Sequence, residues 1–118
     1  MIQSHKDLTV WQRSIELVVE VYNITYHFPK SEEYGLSNQM RRAAIAIPSN
    51  IAEGYRRKGI REYIQFLYIA NASASELETQ FIIAKKIYPR INYEKGNSLL
   101  NEILKMLTSM ISKLKIKG

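Results

Sequence analysis

At 118 residues with no cysteine, the chain has room for one hydrophobic core and offers no disulfide, thiolate metal site or cysteine nucleophile. A 46% hydrophobic share with only 5 Gly and 3 Pro excludes a disordered chain, and a formal charge of +6 with a pI near 9.6 admits a polyanionic partner without demanding one. No apolar run approaches the ~18 residues needed to cross a bilayer, and the polar start MIQSHKDLTV lacks a signal-peptide core, so a cytoplasmic protein with no membrane partner is expected.

The first predicted helix runs from about Val10 to Tyr26, with Thr9 and Gln12 spaced as a capping box. Leu8, Trp11, Ile15, Val18 and Tyr22 recur at steps of three and four and form one face. Val10, Leu17, Val21 and Ile24 make a second stripe beside it. Together they are wider than one core needs, so part of this surface is expected to meet another subunit. Phe28-Pro29 closes the helix, because a residue before proline avoids helical geometry.

The second helix is predicted from about Leu36 to Glu53, with Gly54 as its stop. It holds Pro48 in its interior, where a proline removes one backbone hydrogen bond and costs roughly 3 kcal/mol. Surrounding packing has to hold such a helix. The third helix spans about Ile60 to Tyr88, with Ile60, Tyr63, Leu67, Ala70, Ala74, Leu77, Phe81, Ala84 and Tyr88 as a heptad-type seam. The fourth follows Asn92 as its cap and reaches about Leu114, with Leu100, Ile103, Leu107, Met110 and Leu114 at the same spacing. Short connections make successive helices antiparallel neighbours. The expected fold is all-α, an up-down-up-down four-helix bundle forming one domain over residues 1–118. A chain reversal near Arg57 sets Ala43 and Ala44 opposite Ala70–Ala72, where small side chains let the two backbones approach.

The same register brings Arg42 near Glu76, with Gln39 beside them. An ion pair that selects register and two independently solvated side chains both fit this pattern. Asn50 and Glu53 are further polar candidates for a structural role on the second helix. A di-iron bundle needs Glu-x-x-His motifs, and neither His5 nor His27 follows a glutamate by three residues. No phosphate-cradling glycine motif is present, and no His with an acidic orienter can be set beside a serine. A non-enzymatic protein without metal or cofactor is expected.

The basic residues are more telling. From Arg41 to Arg61 the chain carries Arg41, Arg42, Arg56, Arg57, Lys58 and Arg61 against Glu53 alone. Arginine offers forked donors that suit phosphate, and an exposed tyrosine can stack on a base. Arg41, Arg56, Arg57, Lys58, Arg61 and Tyr55 are therefore the candidate nucleic-acid contacts, whereas Tyr22, Tyr63 and Tyr88 fall on seam positions and are assigned to the core. Lys113, Lys115 and Lys117 near the end of the fourth helix form a rival basic segment. A merely solvated, solubilising surface accounts for either segment as well.

Asp7-Leu8-Thr9-Val10-Trp11-Gln12, Phe28-Pro29, Tyr34-Gly35-Leu36, Gln39-Met40-Arg41-Arg42-Ala43-Ala44 and above all Ile47-Pro48-Ser49-Asn50-Ile51-Ala52-Glu53-Gly54 resemble the bacterial 23S ribosomal RNA intervening-sequence proteins. Glu62-Tyr63, Phe66-Leu67, Ile69-Ala70 and Ser73–Thr79 continue the resemblance, which covers about residues 7 to 88. It implies a four-helix bundle that assembles into a ring, typically a pentamer. That family takes its name from reading frames inside inserted segments of 23S rRNA genes, a genomic location rather than an activity. A related group, the accessory protein of diversity-generating retroelements, is a basic pentameric bundle that binds nucleic acid and a reverse transcriptase. By analogy the resemblance implies RNA or DNA, and a protein such as a reverse transcriptase, as partners. It carries over no catalytic residue. Gly59 stands where the family often has serine, which weakens the cap of the third helix. The expected function is a ring-forming bundle that binds nucleic acid through a basic surface. The alternative is an adapter that works through protein contacts alone.

Overall fold

Small residues on two neighbouring helices decide how this chain packs. The computed structural model describes residues 1–118 and contains four long helices and no strand: α1 (Thr9–Tyr26), α2 (Leu36–Tyr55), α3 (Ile60–Ile87) and α4 (Glu94–Lys117). Single 3-10 turns cover His5–Asp7 and Lys30–Glu32. Each helix packs on its neighbours in sequence, α4 closes back on α1, and the diagonal pairs stay apart. The result is the expected four-helix bundle, 46 × 23 × 21 Å, with its long axis matching the ~42 Å of a 28-residue helix. No helix is long and apolar enough to cross a membrane.

The closest pairing is α2 with α3. Ala43, Ala44, Ile47 and Ile51 on α2 and Leu67, Ala70, Ala74 and Leu77 on α3 are buried in one core, while Ala72 of the expected facing stretch is exposed. Gly54 completes this contact. It does not stop α2, which runs on to Tyr55, and its φ is not positive. A Cβ placed there would lie 2.7 Å from the Phe66 Cβ and 3.1 Å from the Tyr63 ring. Glycine is needed for proximity rather than for a turn. Pro48 is buried within an unbroken α2, and the Ser49 and Asn50 side chains that follow it donate to the Ile45 and Ala46 carbonyls at 2.8 Å.

Of the two predicted α1 stripes, the core takes the second. Val10, Leu17, Val21 and Ile24 are the buried stripe, while Ile15 and Tyr22 are exposed and Trp11 and Val18 half-buried. Ser14 interrupts this seam. It is fully buried mid-stripe, with its hydroxyl donating to the Trp11 carbonyl at 2.7 Å. Thr25 is accommodated in the same way by the Val21 carbonyl, 2.8 Å away. The α1 cap differs from the expected one, because Thr9 is already helical. Ser4 and Asp7 cap the preceding 3-10 turn instead, and the Gln12 amide reaches back to the Lys6 carbonyl at 2.9 Å.

The α3 seam is buried from Leu67 to Ala84, while Ile60 is exposed and Tyr63 and Tyr88 are half-buried. In α4 Ile111, rather than Met110, follows Leu100, Ile103 and Leu107 into the core. Asn92 accepts from the Glu94 amide at 2.9 Å, the expected cap with the helix starting one residue later. At this end of the bundle Tyr88 donates its hydroxyl to Glu32, whose other oxygen accepts from the Leu36 amide at 3.2 Å. One carboxylate thus ties the end of α3 to the start of α2.

Two outcomes follow from this packing. Gly54→Ala should destabilise the fold by about 1–3 kcal/mol through overpacking, read by urea unfolding. Gly59→Ala serves as its control, since the nearest atom to a Cβ there is 4.0 Å away. The Tyr88 hydrogen bond, then the Leu36 amide, hold the Glu32 carboxyl below its ordinary range. A depressed carboxyl contributes stability above its unfolded-state pKa and loses it as pH falls through the folded value. Tyr88→Phe should therefore lower the melting temperature at pH 7, and the gap to the parent should close as the pH drops below about 4.

Candidate nucleic-acid interface

The link from α2 to α3, Arg56–Gly59, is short because two backbone bonds tighten the end of α2, Arg56 to Ala52 at 3.3 Å and Arg57 to Gly54 at 3.0 Å. Arg56 and Lys58 on this link and Arg61 in the first turn of α3 are exposed and without an ion pair. Arg57 is engaged. It meets Glu53 at 2.8 Å, and its guanidinium lies 4.9 Å from the centre of the Phe66 ring. Gly59 supplies no side-chain cap, so the first amides of α3 open into the same turn. Tyr55 is half-buried, its ring edge-on to Tyr63 at 6.1 Å. Burial, then the neighbouring Tyr55, holds the Tyr63 phenol above the usual tyrosine range.

The other candidates lie elsewhere. Arg41 sits 15 residues before Arg56, roughly 22 Å along α2. Its Nε donates to the Thr25 hydroxyl at 2.9 Å, and its guanidinium covers the Tyr22 ring at 4.7 Å. That places Arg41 in the α1–α2 contact, apart from the turn, and Tyr22 on the surface rather than in the seam. Arg42 and Glu76 do not pair. Both are exposed, and Glu76 accepts from Gln80 on its own helix at 3.2 Å. Arg42 lies about 200° around α2 from the fully buried Ala44, which turns it away from α3. Gln39 is exposed and Asn50 bonds its own helix, so of the structural polar candidates only Glu53 makes an ion pair.

The two rival basic segments occupy one place. Antiparallel packing returns the end of α4 to the start of α3, where a Cβ on Gly118 would lie 3.3 Å from Ile60. The Lys115 ammonium stands 5.3 Å over the Tyr68 ring. The first 3-10 turn also packs against α2 and brings Lys6 to the same end. Lys6, Arg56, Arg57, Lys58, Arg61, Lys113, Lys115 and Lys117 gather there against Asp7, Glu53 and Glu62. The opposite end is more balanced, with Lys30, Lys85, Lys86, Arg90 and Lys95 set against Glu32, Glu33 and Glu94. Helix order alone could have merged the turn and the tail, because an even-numbered helix ends where the next odd one begins. No group of three or more His, Asp or Glu side chains is placed to hold a metal ion.

Residues 6–109 match the family described as 23S rRNA-intervening sequence protein, most of the chain's length. This chain belongs to that family. Among solved structures it is similar to a protein of unknown function from the S23 ribosomal protein family of Bacteroides thetaiotaomicron. The two share 28% identity and superpose with a TM-score of 0.75 over 87% of this chain and 98% of the other. No curated protein matches the chain. Within the stretch Ile47–Gly54, Ile47, Pro48, Ile51 and Gly54 are buried, while Ser49 and Glu53 are exposed.

Arg57 and Arg56 should separate in a stability assay. The Glu53 and Phe66 contacts of Arg57 are partly exposed, so Arg57→Gln should cost about 0.5–1 kcal/mol of unfolding free energy. Arg56→Gln should change it by less than about 0.5 kcal/mol. Equal effects would show that the Arg57 contacts contribute nothing.

Proposed function

We propose that this family member is a non-enzymatic, cytoplasmic bundle that binds RNA or DNA through its basic end and assembles into a ring, with a pentamer the expected size. The observation that carries the reading is the gathering of unpaired cations from three chain segments at one end. Lys6, Arg56, Lys58, Arg61, Lys113 and Lys117 are all exposed and lie outside every ion pair of the structure. Such a surface neutralises phosphates and releases their counterions, which supplies affinity without base specificity. A ring would repeat the cations once per subunit, so weak contacts would add through effective concentration on a long strand. A reverse transcriptase remains a partner by analogy with the retroelement accessory proteins.

Support for assembly comes from the apolar stripe that the core leaves uncovered. Ile15, Val19 and Tyr22 on α1 are exposed along one side, and Ile45 on α2 is exposed one turn beyond Arg41, which touches Tyr22. This stripe also favours the second reading, an adapter acting through protein contacts alone.

The two readings part on salt. Binding to a mixed nucleic-acid pool should weaken linearly in log affinity against log salt. Changing Arg56, Lys58 and Arg61 together to Gln should flatten that slope by about 2–3 units without loss of helix content. Binding that ignores salt, or none at all, favours the adapter. Light scattering should return a mass several times 13.7 kDa, with fivefold expected. A monomer at micromolar concentration overturns the ring.

A further inference from the structure

The geometry points to double-stranded nucleic acid, in preference to single strands, as the ligand of the basic end. This inference rests on the nucleic-acid reading above and narrows its substrate class. Proteins that hold single strands without sequence preference pair a basic groove with aromatic faces on which bases stack. The aromatic rings near this end are half-buried, apart from Tyr68, which is exposed beneath a cation. Tyr55 is set edge-on against Tyr63, and Tyr63 is itself half-buried beneath that contact. Phe66 lies under the Arg57 guanidinium at 4.9 Å, and Tyr68 lies under the Lys115 ammonium at 5.3 Å. Trp11 is half-buried with His5 against its edge at 5.2 Å. None of these rings presents a fully exposed, bare face, and on Phe66 and Tyr68 a base would compete with Arg57 and Lys115.

The available groups are cations on three separate segments around the end of a bundle 23 × 21 Å in section. A duplex carries one phosphate charge per ~1.7 Å of axis, so about 12 cross a 21 Å span, twice the number a single strand offers at the same rise. Spread charges without stacking platforms favour the ligand with the denser phosphates. No helix or ribbon projects from this end into a groove, since the link is four residues long. Recognition is therefore of the backbone, indifferent to sequence.

Fluorescence anisotropy decides the matter, with a labelled DNA duplex of about 20 base pairs, each of its strands alone, and the RNA duplex of the same sequence, all at one ionic strength. Either duplex should bind at least about tenfold more tightly than the free strands and show the steeper salt slope. Tyr55→Leu and Tyr68→Leu should leave duplex affinity within about twofold, because neither ring stacks on the ligand. Strands that bind as tightly as the duplexes, or an affinity lost with Tyr68, would overturn the duplex preference while leaving nucleic-acid binding intact. If neither form binds, the nucleic-acid reading fails and this inference falls with it.

Discussion

The fold depends on the close approach of α2 and α3. Ala43 and Ala44 on one side, Ala70 and Ala74 on the other, and Gly54 at the end leave so little side chain between the helices that the backbones come near enough for Leu67, Ile47 and Ile51 to fill what remains. The rest is arranged around this contact. Burial on both sides retains Pro48, despite the hydrogen bond that α2 loses there. It also fixes the direction in which the chain leaves α2, and so the place where Arg56, Lys58 and Arg61 emerge. A functional surface made of flexible side chains is positioned by rigid packing one turn away.

The fold was legible because the α3 seam is regular, and a regular seam flanked by short links permits few topologies. Which of the two α1 stripes enters the core was not, for a local reason. Apolar periodicity weighs Trp11, Ile15 and Tyr22 above a stripe interrupted by Ser14, yet Ser14 costs little once its hydroxyl turns back onto the Trp11 carbonyl. Self-satisfied Ser and Thr residues behave as small apolar ones, and a pattern of residue types cannot register that. Gly54 was misread for a related cause. Sequence shows a glycine near a helix end, but only the neighbour across the gap shows whether it serves a turn or a contact.

The candidate site was half legible. Its residues were readable as types, but their grouping depends on tertiary placement. The chain position of Arg41 suggested membership of the basic cluster, and its bond to Thr25 with its place over Tyr22 sets it in the α1–α2 contact instead. Conversely, Lys115 and Lys117 lie more than 50 residues from Arg61 and end beside it. A stacking role for Tyr55 needs an exposed ring, and the structure half-buries it beside Tyr63.

The order of helix contacts has a kinetic consequence. Three of the four packed pairs join helices adjacent in the chain, and only the closure of α4 on α1 spans its whole length. That closure is the sparsest of the four and is bridged by a partly exposed ion pair, Arg13 to Glu102 at 2.9 Å. Local pairing with one long-range closure gives a low contact order and rapid folding. A sparse closure sets the α1–α4 edge at the low end of local stability, with the α2–α3 centre at the high end. The helix with the uncovered apolar stripe is one of the two on that edge, so a partner seated on the stripe would brace the bundle beside its sparsest contact.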